Sequence, residues 1–351
     1  MVSNNQKHLY AVIMAGGQGE RFWPAGRSSR PKQLLKLYNQ QTMIEESVQR
    51  LFPLLMPENI LVITNEKYVE PIRSLLPLPA ENIIGEPEMR DTAPCIALAA
   101  ALVGQRDPDA VMIMLPADHL IRPARLFQET LLHGVEAAAA GALVTVGITP
   151  SAPSCGYGYI QIGESISPHC HRVSSFKEKP APSMAQKFFA DGNYRWNGGI
   201  FIWQQRSICQ AFQRYAPELY KKLAAWQSGR DFRWDFAECE KISIDYAVME
   251  KADNVLVIDA LFQWQDIGSW NALHSVLPQD DSGNACRGKV ITVDSRNNVL
   301  VSDEETVLGV IGLNDCAVIK SGNGILVCPL SEEQRVKELV QKLRESYPEF
   351  V

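Results

Sequence analysis

A cluster of glycines directly after a buried apolar run constrains this chain more than any other feature. Leu9-Tyr-Ala-Val-Ile-Met14 reads as a core strand, and Ala15-Gly16-Gly17-Gln-Gly19-Glu-Arg21 follows without a break. Such a turn exposes backbone N–H groups that can wrap phosphate oxygens at the end of a strand. Two common nucleotide-binding loops are disfavoured: no Gly-Lys-Ser/Thr follows at Walker spacing, and Phe22 stands where a dinucleotide fingerprint needs its third glycine. Arg21 and Lys32 place cations within one loop of the cradle, as a triphosphate requires. Between them Phe22-Trp23-Pro24 predicts an ordered loop.

The rest of the first 150 residues alternates short apolar runs with helix-like stretches, the pattern of an α/β fold with a mostly parallel sheet flanked by helices. Thr42-Met-Ile-Glu45 is a capping box, Thr92 is placed to cap an alanine-rich helix through Val103, and strands are expected at 59–64, 82–85, 110–115 and 142–148. After Pro150 short strands between long connections suggest an elaborated half of the same sheet, with helices near 204–228 and 235–251. The polar stretch from Pro278 to Asn284 divides a catalytic domain, residues 1–278, from a C-terminal β-rich module, residues 284–351. Five strand-like runs in that module hint at a short β-helix without a clear repeating consensus, closed by a terminal helix.

With 34 Lys plus Arg against 40 Asp plus Glu, the net charge of −6 offers no global attraction to nucleic acid or an anionic membrane. Cations for an anionic ligand must therefore be local. No apolar run reaches the roughly 20 residues that span a bilayer, and the first fifteen residues lack the pattern of a signal peptide. The eight cysteines include no C-x-x-C pair and read as reduced thiols of a cytoplasmic protein.

Two aspartates follow strand-like runs: Asp118 in Leu115-Pro-Ala-Asp-His-Leu-Ile121 and Asp266 in Trp264-Gln-Asp-Ile-Gly-Ser-Trp270. Each alone is a common cap or turn former. Beside a phosphate loop they also suit Mg2+, which takes oxygen ligands from one or two carboxylates plus substrate phosphates. His119 reads as structural, and His169-Cys-His171 as a polar loop. In Phe176-Lys-Glu-Lys-Pro180, a cation and an anion sit side by side where Lys179 can hold a phosphate and Glu178 can accept from hydroxyls. Asn197, in Trp196-Asn-Gly-Gly-Ile-Phe201, offers an amide that both donates and accepts.

Residues 11–33 contain Gly-Gly-x-Gly-x-Arg-x-Trp-Pro followed by Pro31-Lys-Gln33, and this segment resembles the signature of nucleotide-sugar pyrophosphorylases, particularly mannose-1-phosphate guanylyltransferases. The resemblance implies a glycosyltransferase A-like sheet and a reaction of GTP with mannose 1-phosphate that gives GDP-mannose and diphosphate. It assigns Ala15, Gly16, Gly17, Gly19, Arg21 and Lys32 to the nucleotide, with Arg21 and Lys32 as the catalytic cations, and Asp118 and Asp266 to Mg2+. Glu86-Pro-Glu-Met-Arg-Asp-Thr-Ala-Pro94 resembles the segment near the purine base, which brings in Arg90 and Thr92. The glycine turn at Tyr157-Gly158-Tyr159, together with Glu178, Lys179 and Asn197, resembles the sugar-phosphate side. Three departures stand out: Gly26 and Gly198 replace usual serines, and Asp91 a usual asparagine.

Another sugar-1-phosphate nucleotidyltransferase, acting on a heptose phosphate or a different base, is the nearest alternative. A non-catalytic GDP-mannose sensor is another, although such proteins tend to lose the loop cations that this chain keeps. Some relatives carry an added isomerase domain; the chain stops at Val351, so no phosphomannose isomerase activity is implied. The C-terminal module offers a surface for a homodimer.

Overall fold

A computed structural model describes residues 7–17, 19–303 and 305–351. The leader-peptide reading therefore falls partly outside the described residues. The chain forms two compact units: one comprises the stretch ending at Gly16 with Ser47–Ala117 and Ile121–Trp264, the other Gly17–Glu46, Asp118–Leu120 and Gln265–Val351.

The first unit is built on a nine-stranded sheet of β1 (Leu9–Ala15), β2 (Ile60–Asn65), β3 (Ile83–Glu86), β4 (Val111–Pro116), β5 (Leu143–Ile148), β6 (Tyr159–Ser167), β7 (Cys170–Lys177), β8 (Tyr194–Gln204) and β9 (Val255–Asp259). Their order is β3-β2-β1-β4-β8-β5-β9-β7-β6. β1 pairs in parallel with both β2 and β4, and β2 in parallel with β3. The later half is mixed, because β8 runs antiparallel between β4 and β5. β1 is buried almost throughout, as expected of a strand covered on both faces.

Helix α1 (Thr92–Arg106) is apolar nearly all round and packs against α3 (Gln205–Tyr215) and α4 (Pro217–Gln227), while α2 (Ala124–Ala138) lies against β5, β8 and β9. The cap of α1 differs from the sequence expectation. Asp91 accepts the Thr92 amide at 2.7 Å, and Thr92 Oγ1 instead accepts from Ile244 N at 2.8 Å. The helix expected at 235–251 is also replaced, by one 3-10 turn at Phe236–Glu238 and one π-helical turn at Asp245–Met249.

In the second unit, β10 (Ala285–Arg287), β12 (Val299–Val301) and β14 (Cys316–Ser321) stack in parallel, β14 pairs antiparallel with β15 (Gly324–Pro329), and β11 (Lys289–Val293) pairs in parallel with β13 (Val307–Ile311). Two fully buried asparagines tie successive coils. Asn298 Nδ2 donates to Asn284 Oδ1 and Leu313 O, both at 2.8 Å, and its own Oδ1 accepts from Cys316 N at 2.9 Å. Each asparagine precedes a small or branched core residue, Ala285 or Val299, and this is the repeat that the strand spacing alone did not reveal. Helix α5 (Val336–Ser346) closes the unit, with Val336 and Val340 in a core that also contains Phe22, Trp23, Ile267, Trp270, Val299 and Ile319.

Asn298→Ala leaves the Leu313 carbonyl and the Cys316 amide without their partners in a buried place. It should cost roughly 2–4 kcal/mol in chemical denaturation. A loss below about 1 kcal/mol would show that the asparagine ladder does not hold the coils together.

Candidate active site

β1 ends at Ala15 and β4 at Pro116, so the glycine loop and Asp118 emerge from the carboxyl ends of neighbouring parallel strands, where open α/β sheets bind ligands. At Gly16 and Gly17 a side chain would meet no described atom within 4 Å, so packing does not demand glycine there and the backbone stays open to a ligand. Gly19 is different. Its φ is +70°, and a Cβ would lie 2.5 Å from Lys32 N. Gly26 packs against the same turn, with a Cβ that would sit 2.3 Å from Gly19 O, which explains why serine does not stand there.

The aromatic pair after the loop anchors it. The Phe22 ring meets Trp270 edge-on at 5.2 Å, the Trp270 indole donates to Trp23 O at 3.1 Å, and the Trp23 indole donates to Phe350 O at 2.9 Å. Trp270 comes four residues after Asp266. Glu333 fixes the intervening turn by accepting from Ser269 Oγ at 2.7 Å and Asn271 N at 2.6 Å.

Lys32, 6% exposed, reaches Asp118 Oδ2 at 2.8 Å and Asp266 Oδ1 at 2.9 Å. Burial works against its ammonium, but the two facing carboxylates outweigh it and hold the Lys32 pKa above its ordinary value. Burial likewise works against the Asp118 carboxylate, and Lys32 and His119 overcome it, so its pKa lies below the usual range. These three side chains, with Gly17, Gly19 and Arg21, line a cavity of about 340 Å³. Arg21 Nε is buried there without a partner among the described residues.

The donor set suits a hard cation, since oxygens of both aspartates converge on one position, now taken by the Lys32 ammonium. Among the described residues no group of three or more His, Cys, Asp or Glu side chains could hold an ion. Any ion here must therefore draw further ligands from substrate or water. His171 is paired with Asp259 at 3.3 Å.

The residues assigned to the sugar phosphate also come together. Gly158 O accepts from Asn197 N at 2.8 Å, and a Cβ on Gly158 would lie 2.3 Å from Glu178 Oε2, so only glycine lets that carboxylate rest against the turn. Lys179 Nζ is 2.8 Å from Glu178 Oε1 and its backbone is held at φ +41°. Gly198 has its own packing reason, because a Cβ would sit 2.9 Å from Val146 O. In the base-side segment Asp91 adopts φ 66°, ψ −172°, a region that costs a non-glycine residue on the order of 1–3 kcal/mol. Strain of this kind persists where the surroundings over-determine it, commonly at ligand sites.

Two residues of these clusters had no assigned role in the sequence. Asp245, on the π-helical turn, accepts from Asn197 Nδ2 at 2.9 Å. Glu86, at the end of β3, is 5% exposed, with Oε1 lacking a partner among the described residues, and burial pushes its carboxyl up to about 7. Glu86 opens the segment that resembles the one near the purine base, but no role was read for its own carboxyl.

A glycine-rich loop that directly follows the first strand of a sheet whose first four strands run parallel defines an α/β protein of the nucleotidyltransferase type. Residues 10–283 match the family described as Nucleotidyl transferase, and residues 288–343 match the MannoseP isomerase/GMP-like beta-helix domain. The chain belongs to the nucleotidyl transferase family, as a sugar-1-phosphate nucleotidyltransferase. It is similar to the mannose-1-phosphate guanylyltransferase of Klebsiella pneumoniae, 36% identical over 96% of this chain and 74% of the relative. An Escherichia coli protein of the same name matches equally, at 36% over 96% and 74%. A crystal structure from Thermus thermophilus, described as a mannose-1-phosphate geranyltransferase, superposes with a TM-score of 0.89 at 34% identity, covering 96% of this chain and 99% of that one.

The raised Glu86 pKa has a definite sign for stability. Between the ordinary value of 4.5 and about 7 the unfolded chain ionises while the folded one stays protonated, so Glu86 lowers stability as pH rises through that window. Glu86→Gln should therefore gain on wild type by on the order of 2 kcal/mol between pH 5 and pH 8 in urea denaturation. An equal difference at both pH values would mean that the carboxyl is not held neutral by the fold.

Proposed function

We propose that this enzyme converts GTP and mannose 1-phosphate to GDP-mannose and diphosphate, with Mg2+. The observation that carries the reading is the Lys32 bridge between Asp118 and Asp266 in the cavity of the glycine loop. The names of the relatives at 36% identity support the choice of substrates.

A sugar 1-phosphate brings an already ionised oxygen, so its attack on the α-phosphorus of GTP needs no side-chain base. One O–P bond forms at the α-phosphorus as the bond to the β-phosphate oxygen breaks, and diphosphate leaves with the electron pair. The difficulty is charge. Arg21 and Lys32 would offset the triphosphate, the open backbone at Gly16 and Gly17 would donate to its oxygens, and Lys179 would hold the sugar phosphate. A magnesium ion held by Asp118 and Asp266 would supply further positive charge to phosphate oxygens as diphosphate departs. On the base side, Glu86 Oε1 and Arg90 Nε are buried polar atoms without partners among the described residues. An acceptor and a donor of this kind can serve the edge of guanine, whose N1–H and N2–H groups donate.

We read the protein as cytoplasmic from its eight free cysteines, and as a homodimer through the β-rich module. No described helix is long and apolar enough to cross a membrane.

A grid of nucleoside triphosphates against sugar 1-phosphates, followed by diphosphate release, tests the substrates. GTP with mannose 1-phosphate should give the highest kcat/KM, and a clear preference for UTP or dTTP would overturn the reading. Asp266→Asn keeps the shape of the side chain and removes its charge, so turnover should fall by about 10²-fold or more, with thermal melting little changed. Near-normal turnover in the folded variant would return Asp266 to the role of a turn residue.

A further inference from the structure

The Asn197 amide is committed before any ligand arrives. Its Oδ1 accepts from Thr145 Oγ1 at 3.1 Å and from Gly199 N at 3.2 Å, and a carbonyl oxygen has two lone pairs. The Gly199 amide can only donate, which fixes the oxygen on that side and turns Nδ2 toward Asp245 Oδ1, 2.9 Å away. One Nδ2 hydrogen is left for a ligand. The Asn197 oxygen therefore has no lone pair left to accept from a sugar hydroxyl.

The acceptor has to come from elsewhere. Each sugar hydroxyl carries a hydrogen that loses a partner on leaving water, and a site holding several hydroxyls needs several acceptors. Glu178 is one, partly occupied by Lys179 at 2.8 Å. Asp245 is a second carboxylate of this cluster, half-buried, with Asn197 taking only one of the roughly four lone-pair positions of its oxygens, whereas the exposed Glu250 meets the backbone amide of Glu178 at 3.4 Å. Its place on a single π-helical turn is a local distortion that recurs at functional sites. Burial, then the nearby Glu178 charge, push its carboxyl up to about 6, and a hydroxyl donating to it would relieve that imbalance.

We infer that Asp245 accepts a hydrogen bond from a hydroxyl of the bound sugar, beside Glu178, and so helps decide which sugar 1-phosphate is used. The inference deepens the proposed reaction, and its test is run with whichever sugar 1-phosphate the wild type uses best, so that failure of the mannose assignment would be seen separately.

Wild type and Asp245→Asn are compared by diphosphate release with that sugar 1-phosphate and its series of single-deoxy analogues. The variant keeps an oxygen for Asn197 but turns a donor toward the hydroxyl. Its kcat/KM for the full sugar should fall roughly tenfold or more, with the KM for GTP within about twofold of wild type. One deoxy analogue should be used poorly by wild type and no worse by the variant, because the group that Asp245 holds is already missing. An equal loss on every analogue, or no loss, would overturn the inference. Asp245→Ser serves as a second variant if the first does not fold. Independently of either, a wild type that loses less than about threefold with every deoxy analogue would also overturn it.

Discussion

The buried ammonium of Lys32 ties together three stretches of chain that are far apart in sequence. Its partners Asp118 and Asp266 belong to the short insert Asp118–Leu120 and to the start of the C-terminal segment, and the glycine loop that carries Lys32 packs in the same unit. Removing one member of such a set leaves charges without partners in a poorly hydrated place, which costs more than the pair itself contributes. The bonding also decides what the cavity can accept: two carboxylates facing one lysine leave a net negative charge, so a polyanion has to be met by the other lining cations, Arg21 and Lys337, and by open backbone N–H groups.

The aromatic residues around the loop serve this arrangement. Phe22 and Trp23 are buried against Trp270 and the closing end of the chain, so the loop keeps its shape through contacts that do not engage its charged side chains. The open backbone and the charged side chains of the proposed site are thus held by an apolar core that contains none of them. The sugar-phosphate cluster uses a similar division of labour, in which Thr145, wholly buried in β5, spends its hydroxyl on orienting Asn197.

Much of this was legible in the chain. The glycine cluster, its two cations and the motif-bearing carboxylates lie within short segments, and it is their resemblance to a family signature, added to the spacing, that pointed to a phosphate site. The capping box at Thr42 and Glu45 forms as read, with Thr42 N donating to Glu45 Oε2 at 2.7 Å and Glu45 N to Thr42 Oγ1 at 3.3 Å. What stayed hidden depends on partners remote in sequence. No local pattern says that Lys32 will bond Asp266, or that Asn197 will spend its oxygen on Thr145. Asp91 rather than Thr92 caps α1 because Thr92 is claimed by Ile244 from another segment. Asp245 escaped notice because its stretch reads as an ordinary helix, and a single π-helical turn has no sequence periodicity of its own.

Magnesium binding by the nucleotide-free protein tests most directly whether Lys32 governs the two aspartates. Calorimetric titration of wild type should give no site up to millimolar ion, because the ammonium holds both carboxylates, whereas Lys32→Met should open one. A wild type that binds magnesium without nucleotide as tightly as Lys32→Met would contradict the central role of that ion pair.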